Sequence, residues 1–406
     1  MNNLELINKC ELELKDIFNE IDQTCLNNSK KVIDAFHKYE INSADLIGTN
    51  GYGYNDRGRD KIEEIYADIF NAESALVRNQ FISGSHAITI VLQALLRPND
   101  TLLTITGTPY DTLHKVIGIK EDESSLINYG IKYKEIDLLN NDFNIKKIIK
   151  TIKEDDSIRL IHIQRSRGYS LRDSLTIDKL EKVIKEIKKV KDINIFVDNC
   201  YCEFVEEMSP IDVGADIMAG SLIKNLGAGI ATNGAYVVGK EKLVDLCANR
   251  LTVPGEGREV GPSDNANRLF LLGLYLAPRV VANALKISIL TSKVLTEMGY
   301  KTAPLFNDKR ADIVQLIYFN NEEELCEYAR AIQASGAIDS NSRPIPGDMP
   351  GYENKIIMAS PSFTQGSSIE LSCDGPLKEP YVLFQQGSLT YEYGKLSILN
   401  AINSIK

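Results

Sequence analysis

Two short apolar runs, each ending in a charged residue, constrain this chain more than any other feature. The first is Ile195-Phe196-Val197-Asp198, followed by Asn199. The second starts at Asp216, continues through Ile217-Met218-Ala219-Gly220-Ser221-Leu222-Ile223 to Lys224, and enters the glycine-rich Asn225-Leu226-Gly227-Ala228-Gly229. Brief apolar runs bounded by turn residues read as strands buried on both faces, as in a parallel sheet covered by helices. Open sheets of that kind bind ligands beyond the carboxyl ends of their strands, so the Asp198 carboxylate and the Lys224 amine are candidates for one shared site. The plain alternative is a surface ion pair.

Around that centre the chain alternates strand and helix from about residue 75 to 240. Ile62, Ile65, Tyr66 and Ile69 form a helical stripe, as do Ala87, Ile90, Val91 and Ala94, and later Leu180, Val183, Ile184 and Ile187. Thr101–Ile105 and Leu160–Gln164 read as strands, and the lysines of the helix 177–190 as its solvated face. Residues 1–45 are expected to form an amphipathic helical arm, 46–275 a large domain, and 276–406 a smaller α/β domain. Pro278 is expected to kink a helix or start a new one.

The 406 residues leave ample chain for a large core. A formal net charge of -10 offers no Lys/Arg excess to displace counterions, so nucleic acid is not an expected partner. The amino terminus lacks a basic segment followed by an apolar one, and no run reaches the roughly 18 uninterrupted apolar residues of a membrane span. A cytoplasmic location without membrane association is expected. Seven scattered cysteines are an odd number and read as reduced thiols. Cys200-Tyr201-Cys202 does not have a common zinc spacing, so packing or site lining is expected and no metal.

A lysine and a carboxylate at adjacent strand ends suit pyridoxal 5'-phosphate, which needs an amine for its Schiff base and a carboxylate to keep its ring nitrogen protonated. Burial, together with the Schiff base itself, is expected to keep the lysine's pKa low enough to act near neutrality. Ser83-Gly84-Ser85 opens a helix and offers free backbone N–H groups to a phosphate, although a simple N-cap serine explains it equally well. Tyr110, just beyond a strand end, suits either a planar ligand or the core. Gly48-Thr49-Asn50-Gly51-Tyr52-Gly53-Tyr54-Asn55-Asp56-Arg57-Gly58-Arg59-Asp60 reads as a loop whose backbone can approach an anion, or as a surface turn.

Taken in order, Gly51-Tyr52-Gly53-Tyr54 with Gly58-Arg59-Asp60, Ser83-Gly84-Ser85-His86-Ala87, Gly107-Thr108-Pro109-Tyr110-Asp111-Thr112, Gln164-Arg165-Ser166-Arg167-Gly168-Tyr169, Val197-Asp198-Asn199, Ser221-Leu222-Ile223-Lys224-Asn225 and Met349-Pro350-Gly351-Tyr352 make the chain resemble fold-type I pyridoxal-phosphate enzymes. The likeness is to the cystathionine-lyase and methionine γ-lyase group, in the branch of the aluminium-resistance proteins. It implies an α/β fold with a mostly parallel seven-stranded sheet between helices and a smaller carboxyl-terminal domain.

It further implies that Lys224 forms the Schiff base, Asp198 faces the ring nitrogen, Tyr110 stacks on the ring, and Gly84, Ser85 and Ser221 hold the phosphate. Tyr54 and Arg59 of an adjacent subunit complete the phosphate site in that pattern, with Arg57 competing for the role, in a homodimer or homotetramer. The implied activity is a β- or γ-elimination on cystathionine, cysteine or methionine. An aminotransferase, an aldolase-type enzyme or a catalytically silent binding protein of the same fold are the alternatives. The group reads the substrate carboxylate with an arginine on a late strand. Here Gly366–Ser372 carries Glu370 and no arginine, which leaves Arg343, then Gln365 or Arg165, as candidates.

Overall fold

Seven strands form the central sheet of the computed structural model, which describes residues 2–348 and 354–405. The Met349-Pro350-Gly351-Tyr352 motif lies outside the described residues. In chain order the strands are β1 Ser74–Arg78, β2 Thr101–Thr104, β3 Lys132–Glu135, β4 Ile158–Gln164, β5 Asn194–Asp198, β6 Ile217–Ser221 and β7 Ala235–Gly239. Their order across the sheet is β1-β7-β6-β5-β4-β2-β3. β3, β2, β4, β5 and β6 run parallel, and β7 lies antiparallel to both β6 and β1. Leu160, Ile161, Ile163, Ile195, Phe196 and Val197 are fully buried, which is why β4 and β5 read as unbroken apolar runs: helices cover both faces.

The helical stripes bury as their spacing demands. The helix Arg57–Ile69 buries Ile62, Ile65, Tyr66 and Ile69, and the helix Gly84–Leu95 buries Ala87, Ile90, Val91 and Ala94. The helix Ile177–Val190 turns Leu180, Val183, Ile184 and Ile187 inward. On its outer face Lys185 pairs with Glu181, an exposed i, i+4 contact worth only a few tenths of a kcal/mol.

A second, wholly antiparallel sheet follows: β8 Lys301–Ala303, β9 Gln315–Tyr318, β10 Ile356–Ala359, β11 Ser372–Pro376 and β12 Val382–Gln386. Its order is β10-β11-β12-β9-β8. The helix Ala266–Glu297 joins the two parts. Residues from Ala266 to Leu285 pack into the large core, and residues from Ile287 to Leu295 into the core of the second sheet. The change of core therefore falls near residue 286, about three helical turns past the boundary expected at 275/276. Pro278 starts no new helix; it lies inside this one, where buried Ala277 and Val281 offset the lost backbone hydrogen bond. The helix is long and apolar enough to cross a membrane, but 67% of its apolar window is buried in these two cores.

The amino-terminal residues form two helices, Asn3–Glu13 and Lys15–Lys38. Leu6, Ile7 and Cys10 enter the second core, whereas Val32 and Ala35 enter the first. The arm thus straps the two parts of the chain together.

Candidate active site

Parallel pairing sets the register of the site. Gln164 at the end of β4 lies opposite Asp198 at the end of β5, and Asp198 lies opposite Ala219 on β6. β6 ends at Ser221, and Lys224 follows three residues later. These strand ends put Asp198 and Lys224 on the wall of one cavity, together with Gly84, Ser85 and Tyr110. Thr112, Gln164, Tyr169, Cys200, Tyr201, Asp374 and Gln386 complete much of the lining.

The helix Gly84–Leu95 supplies the polar floor. Ser83 is its N-cap, and its hydroxyl accepts from the His86 N–H at 3.1 Å, a contact typically worth ~1 kcal/mol. The N-cap reading of the Ser-Gly-Ser turn holds, and the cap leaves the first backbone N–H groups and the positive helix end at the cavity. The hydroxyls of Ser85 and Thr112 share a hydrogen bond of 2.7 Å. A Cβ at Gly84 would stand 3.1 Å from the Ser221 Cβ and 3.4 Å from the Cys200 sulfur. Gly84 is thus where the helix end seats on β6, and Ser221 lies sealed against it.

Gln164 ties the aromatic wall to the sheet. Its Oε1 accepts from the Tyr110 backbone N–H at 2.7 Å, and its Nε2 donates to the Ser166 carbonyl at 3.1 Å. Tyr110 stacks on Tyr169 at 5.9 Å between centroids, and Tyr169 meets Phe384 of β12 edge-on at 5.2 Å. Tyr169 also donates to Asp374 on β11, whose carboxyl burial pushes up to about 7.

The lysine has an aromatic seat. Lys224 Nζ lies 4.0 Å from the Tyr201 ring centroid. Burial opposes the ammonium, yet Cys200, Tyr201, Asp198 and Glu203 together carry its pKa well above the ordinary lysine range. Burial and the neighbouring groups thus act on the amine in opposite directions. Asp198 Oδ1 accepts from the Cys200 backbone N–H at 3.1 Å. Below it Glu203, buried and accepting from the Tyr236 hydroxyl at 2.8 Å, is pushed up to about 7 by desolvation. Burial raises the Cys200 thiol well above its usual range, so it lines the site as a neutral group. Among the described residues no cluster is suited to a metal ion, and all seven cysteines are free.

Six expected residues lie outside the lining of this cavity. Arg59 is in the first turn of a helix, not in a loop, because Asp56 caps that helix by accepting from the Arg59 N–H at 3.0 Å. The Arg59 guanidinium is buried and donates to the carbonyls of Gly53 at 2.7 Å and Gly261 at 3.1 Å. Arg57 is the exposed cation of that turn, paired with Asp45 at 2.7 Å, and Tyr54 is exposed and stacked on Tyr52 at 5.6 Å. Arg165 is buried and bound to the Asn199 side chain at 3.0 Å, the Leu175 carbonyl at 2.9 Å and Glu206. Arg343 is exposed and pairs with Glu327 at 2.9 Å. Gln365 is exposed and lines no part of the lysine cavity. Glu370 is spent on the backbone N–H groups of Phe363 and Thr364.

Tyr169, Tyr201, Gln164 and Asp374 are site residues that sequence reasoning left without a role. The first three carried a signal, since they stand at the ends of buried strands; Asp374 on an antiparallel strand carried none.

Comparison with known proteins is consistent with this geometry. The methionine gamma-lyase family model matches residues 3–406. A Listeria innocua structure provisionally described as a cystathionine beta-lyase involved in aluminum resistance is 43% identical, with a TM-score of 0.98 and all of both chains covered. A Clostridium novyi NT structure, described as a carbon-sulfur lyase involved in aluminum resistance, is 42% identical over 98% of this chain and 95% of its own, with a TM-score of 0.95. The Bacillus subtilis protein YnbB, which is uncharacterized, is 42% identical over 99% of this chain and 97% of its own. The pyridoxal-5'-phosphate-dependent Escherichia coli protein YhfS, at 20% identity and a TM-score of 0.64, shares the fold.

Proposed function

This chain belongs to the methionine gamma-lyase family, and from that premise we propose that it is a pyridoxal-phosphate-dependent carbon–sulfur lyase. It acts on a sulfur-containing amino acid such as cystathionine, cysteine or methionine by β- or γ-elimination. The observation that carries this reading is the meeting of Lys224, Asp198, Tyr110 and the amino-terminal end of the helix Gly84–Leu95 at one cavity.

The donor set suits the cofactor. An amine, a buried carboxylate, an aromatic face and a helix end match its aldehyde, ring nitrogen, ring and phosphate in turn. When bound, the cofactor supplies an electron sink for a carbanion at the substrate Cα. Asp198 would present a carboxylate to the ring nitrogen and favour its protonated form. The Gly84 and Ser85 backbone and the Ser85 hydroxyl would hold the phosphate. Lys224 Nζ would serve as the general base that takes a proton from the substrate Cα. Tyr110 would stack on the ring, with Tyr169 packed behind it. Departure of the thiol and hydrolysis of the resulting unsaturated amine by one water would give a keto acid and ammonia.

The exposed pair Tyr52 and Tyr54, beside exposed Arg57, supports a shared site in which a second copy of the chain contributes Tyr54 and Arg57 to the phosphate. Arg59 is already committed to Gly53 and Gly261. The test is product analysis on the cofactor-loaded protein with L-cystathionine, L-cysteine and L-methionine. Thiol and ammonia released in equal amounts support a lyase; turnover only when a keto acid is added identifies an aminotransferase instead.

A further inference from the structure

The lysine cavity contains no guanidinium among its described lining residues, yet a substrate carboxylate needs a cation. A wider cavity of about 870 Å³ adjoins it, and the two share Tyr110, Gln164 and Tyr169 as walls. Arg167 lines the wider one. Its immediate neighbours Ser166 and Gly168 line the lysine cavity, and a Cβ at Gly168 would stand 3.1 Å from the Tyr110 ring. Arg167 is thus one residue removed from the chemistry on either side.

Its side chain is 0% exposed, and its closest carboxylate, Asp312, is 4.0 Å away. Among the described residues none of the three guanidinium nitrogens has a hydrogen-bond partner. Asp312 is already occupied: it accepts from the Ser166 hydroxyl at 2.9 Å, the Val314 N–H at 3.1 Å and the Ser174 hydroxyl. Two more buried arginines crowd the same carboxylate. Burial, with Arg167 adding to it, brings Arg172 down to about 10 and Arg310 down to about 9. Arg172 satisfies itself on the carbonyls of Gln164, Ser166 and Asp173, and Arg310 on Gln315. Arg167 alone of the three has no such partner. A buried guanidinium whose one carboxylate neighbour is 4.0 Å away and which makes no hydrogen bond is costly, and its planar fork matches a carboxylate. Its hydrogen-bonding capacity is therefore open to a ligand.

We infer that Arg167 is the fork that binds a carboxylate of the amino-acid substrate, replacing the late-strand arginine that this chain lacks. The inference rests on the lysine-cavity assignment above, and two arms keep the two claims apart. In the first, the unloaded protein is melted with and without malonate at matched ionic strength. Malonate raises the midpoint of the wild type and leaves R167Q unmoved. In the second, the loaded protein is titrated with glycine and with glycinamide, following the cofactor spectrum. R167Q weakens glycine about 10- to 100-fold, R167K recovers part of that loss, and glycinamide is unaffected by either change. S-carboxymethyl-L-cysteine against L-cysteine separates the sources: a loss confined to the former places the side-chain carboxylate, not the α-carboxylate, on Arg167. Equal behaviour of R167Q and wild type in the malonate arm, with glycine affinity within twofold, overturns the inference. If no chromophore forms in the wild type, the proposed function fails and the malonate arm still decides the role of Arg167.

Discussion

Lys224 Nζ lies 4.0 Å from the centre of the Tyr201 ring, and Tyr201 holds that ring in place from a left-handed backbone with φ of 72°. A bulky residue in that region of backbone space is strained by about 1–3 kcal/mol. The strain is concentrated at the residue whose ring seats the Lys224 amine.

Replacing Tyr201 with leucine removes the cation–π contact, worth about 1–2 kcal/mol when desolvated. Lys224 in the unloaded protein then becomes reactive toward an amine-selective acylating reagent at lower pH than in the wild type. Tyr201→Phe keeps the ring and the wild-type profile. Mass spectrometry of the Lys224 peptide across pH reads the difference, and identical profiles for Tyr201→Leu and wild type would count against the seat.

Asp198→Asn preserves shape and removes the charge proposed to face the cofactor's ring nitrogen. Turnover falls by roughly 100-fold or more, on the scale of lost electrostatic stabilisation, while the far-ultraviolet circular dichroism stays unchanged. A variant within threefold of wild type removes Asp198 from the mechanism.

Gly84→Ala puts a methyl group 3.1 Å from the Ser221 Cβ and 3.4 Å from the Cys200 sulfur. Gly84 has no left-handed backbone requirement, so the fold tolerates the change with a loss of about 1 kcal/mol. The helix end must shift, and cofactor affinity drops by about tenfold or more in equilibrium dialysis. Ser83→Ala, which removes the helix cap, lowers thermal stability by a similar amount instead.

The pH dependence of stability carries the signature of Glu203, whose folded-state pKa is raised to about 7 by burial. Between the ordinary glutamate value near 4.3 and about 7 the native state binds more protons than the unfolded state, so this group's contribution falls as pH rises through that window. The loss is complete above about pH 7 and amounts to about 3 kcal/mol at most. Glu203→Gln removes it, so the difference in unfolding free energy between variant and wild type grows in the variant's favour from pH 5 to pH 8. A constant difference over that range contradicts the assignment.

The sheet and its helices were legible because buried strands and amphipathic helices write themselves locally. Ile195 to Val197 can only be a buried run, and Leu180, Val183, Ile184 and Ile187 can only be one helix face. Asp198 and Lys224 were legible for the same reason: each ends such a run. Arg59 was misread because its partners include the Gly261 carbonyl, 202 positions away, and nothing local marks a guanidinium bound to distant backbone. Arg343 follows the sequence pattern only by position, and nothing local fixes the direction of its side chain, which turns to Glu327. Pro278 reads as a break only until both cores are seen to hold its helix. Asp374 lines the lysine cavity from an antiparallel strand whose alternation leaves it indistinguishable from a surface acid.

The central claim is that Lys224 carries the cofactor, and reduction with borohydride tests it most directly. The loaded protein is reduced, digested and mapped by mass spectrometry. A phosphopyridoxyl group on the Lys224 peptide, absent from Lys224→Ala, is the predicted result; a protein that takes up no cofactor, or one labelled on another lysine while Lys224 stays unmodified, contradicts it.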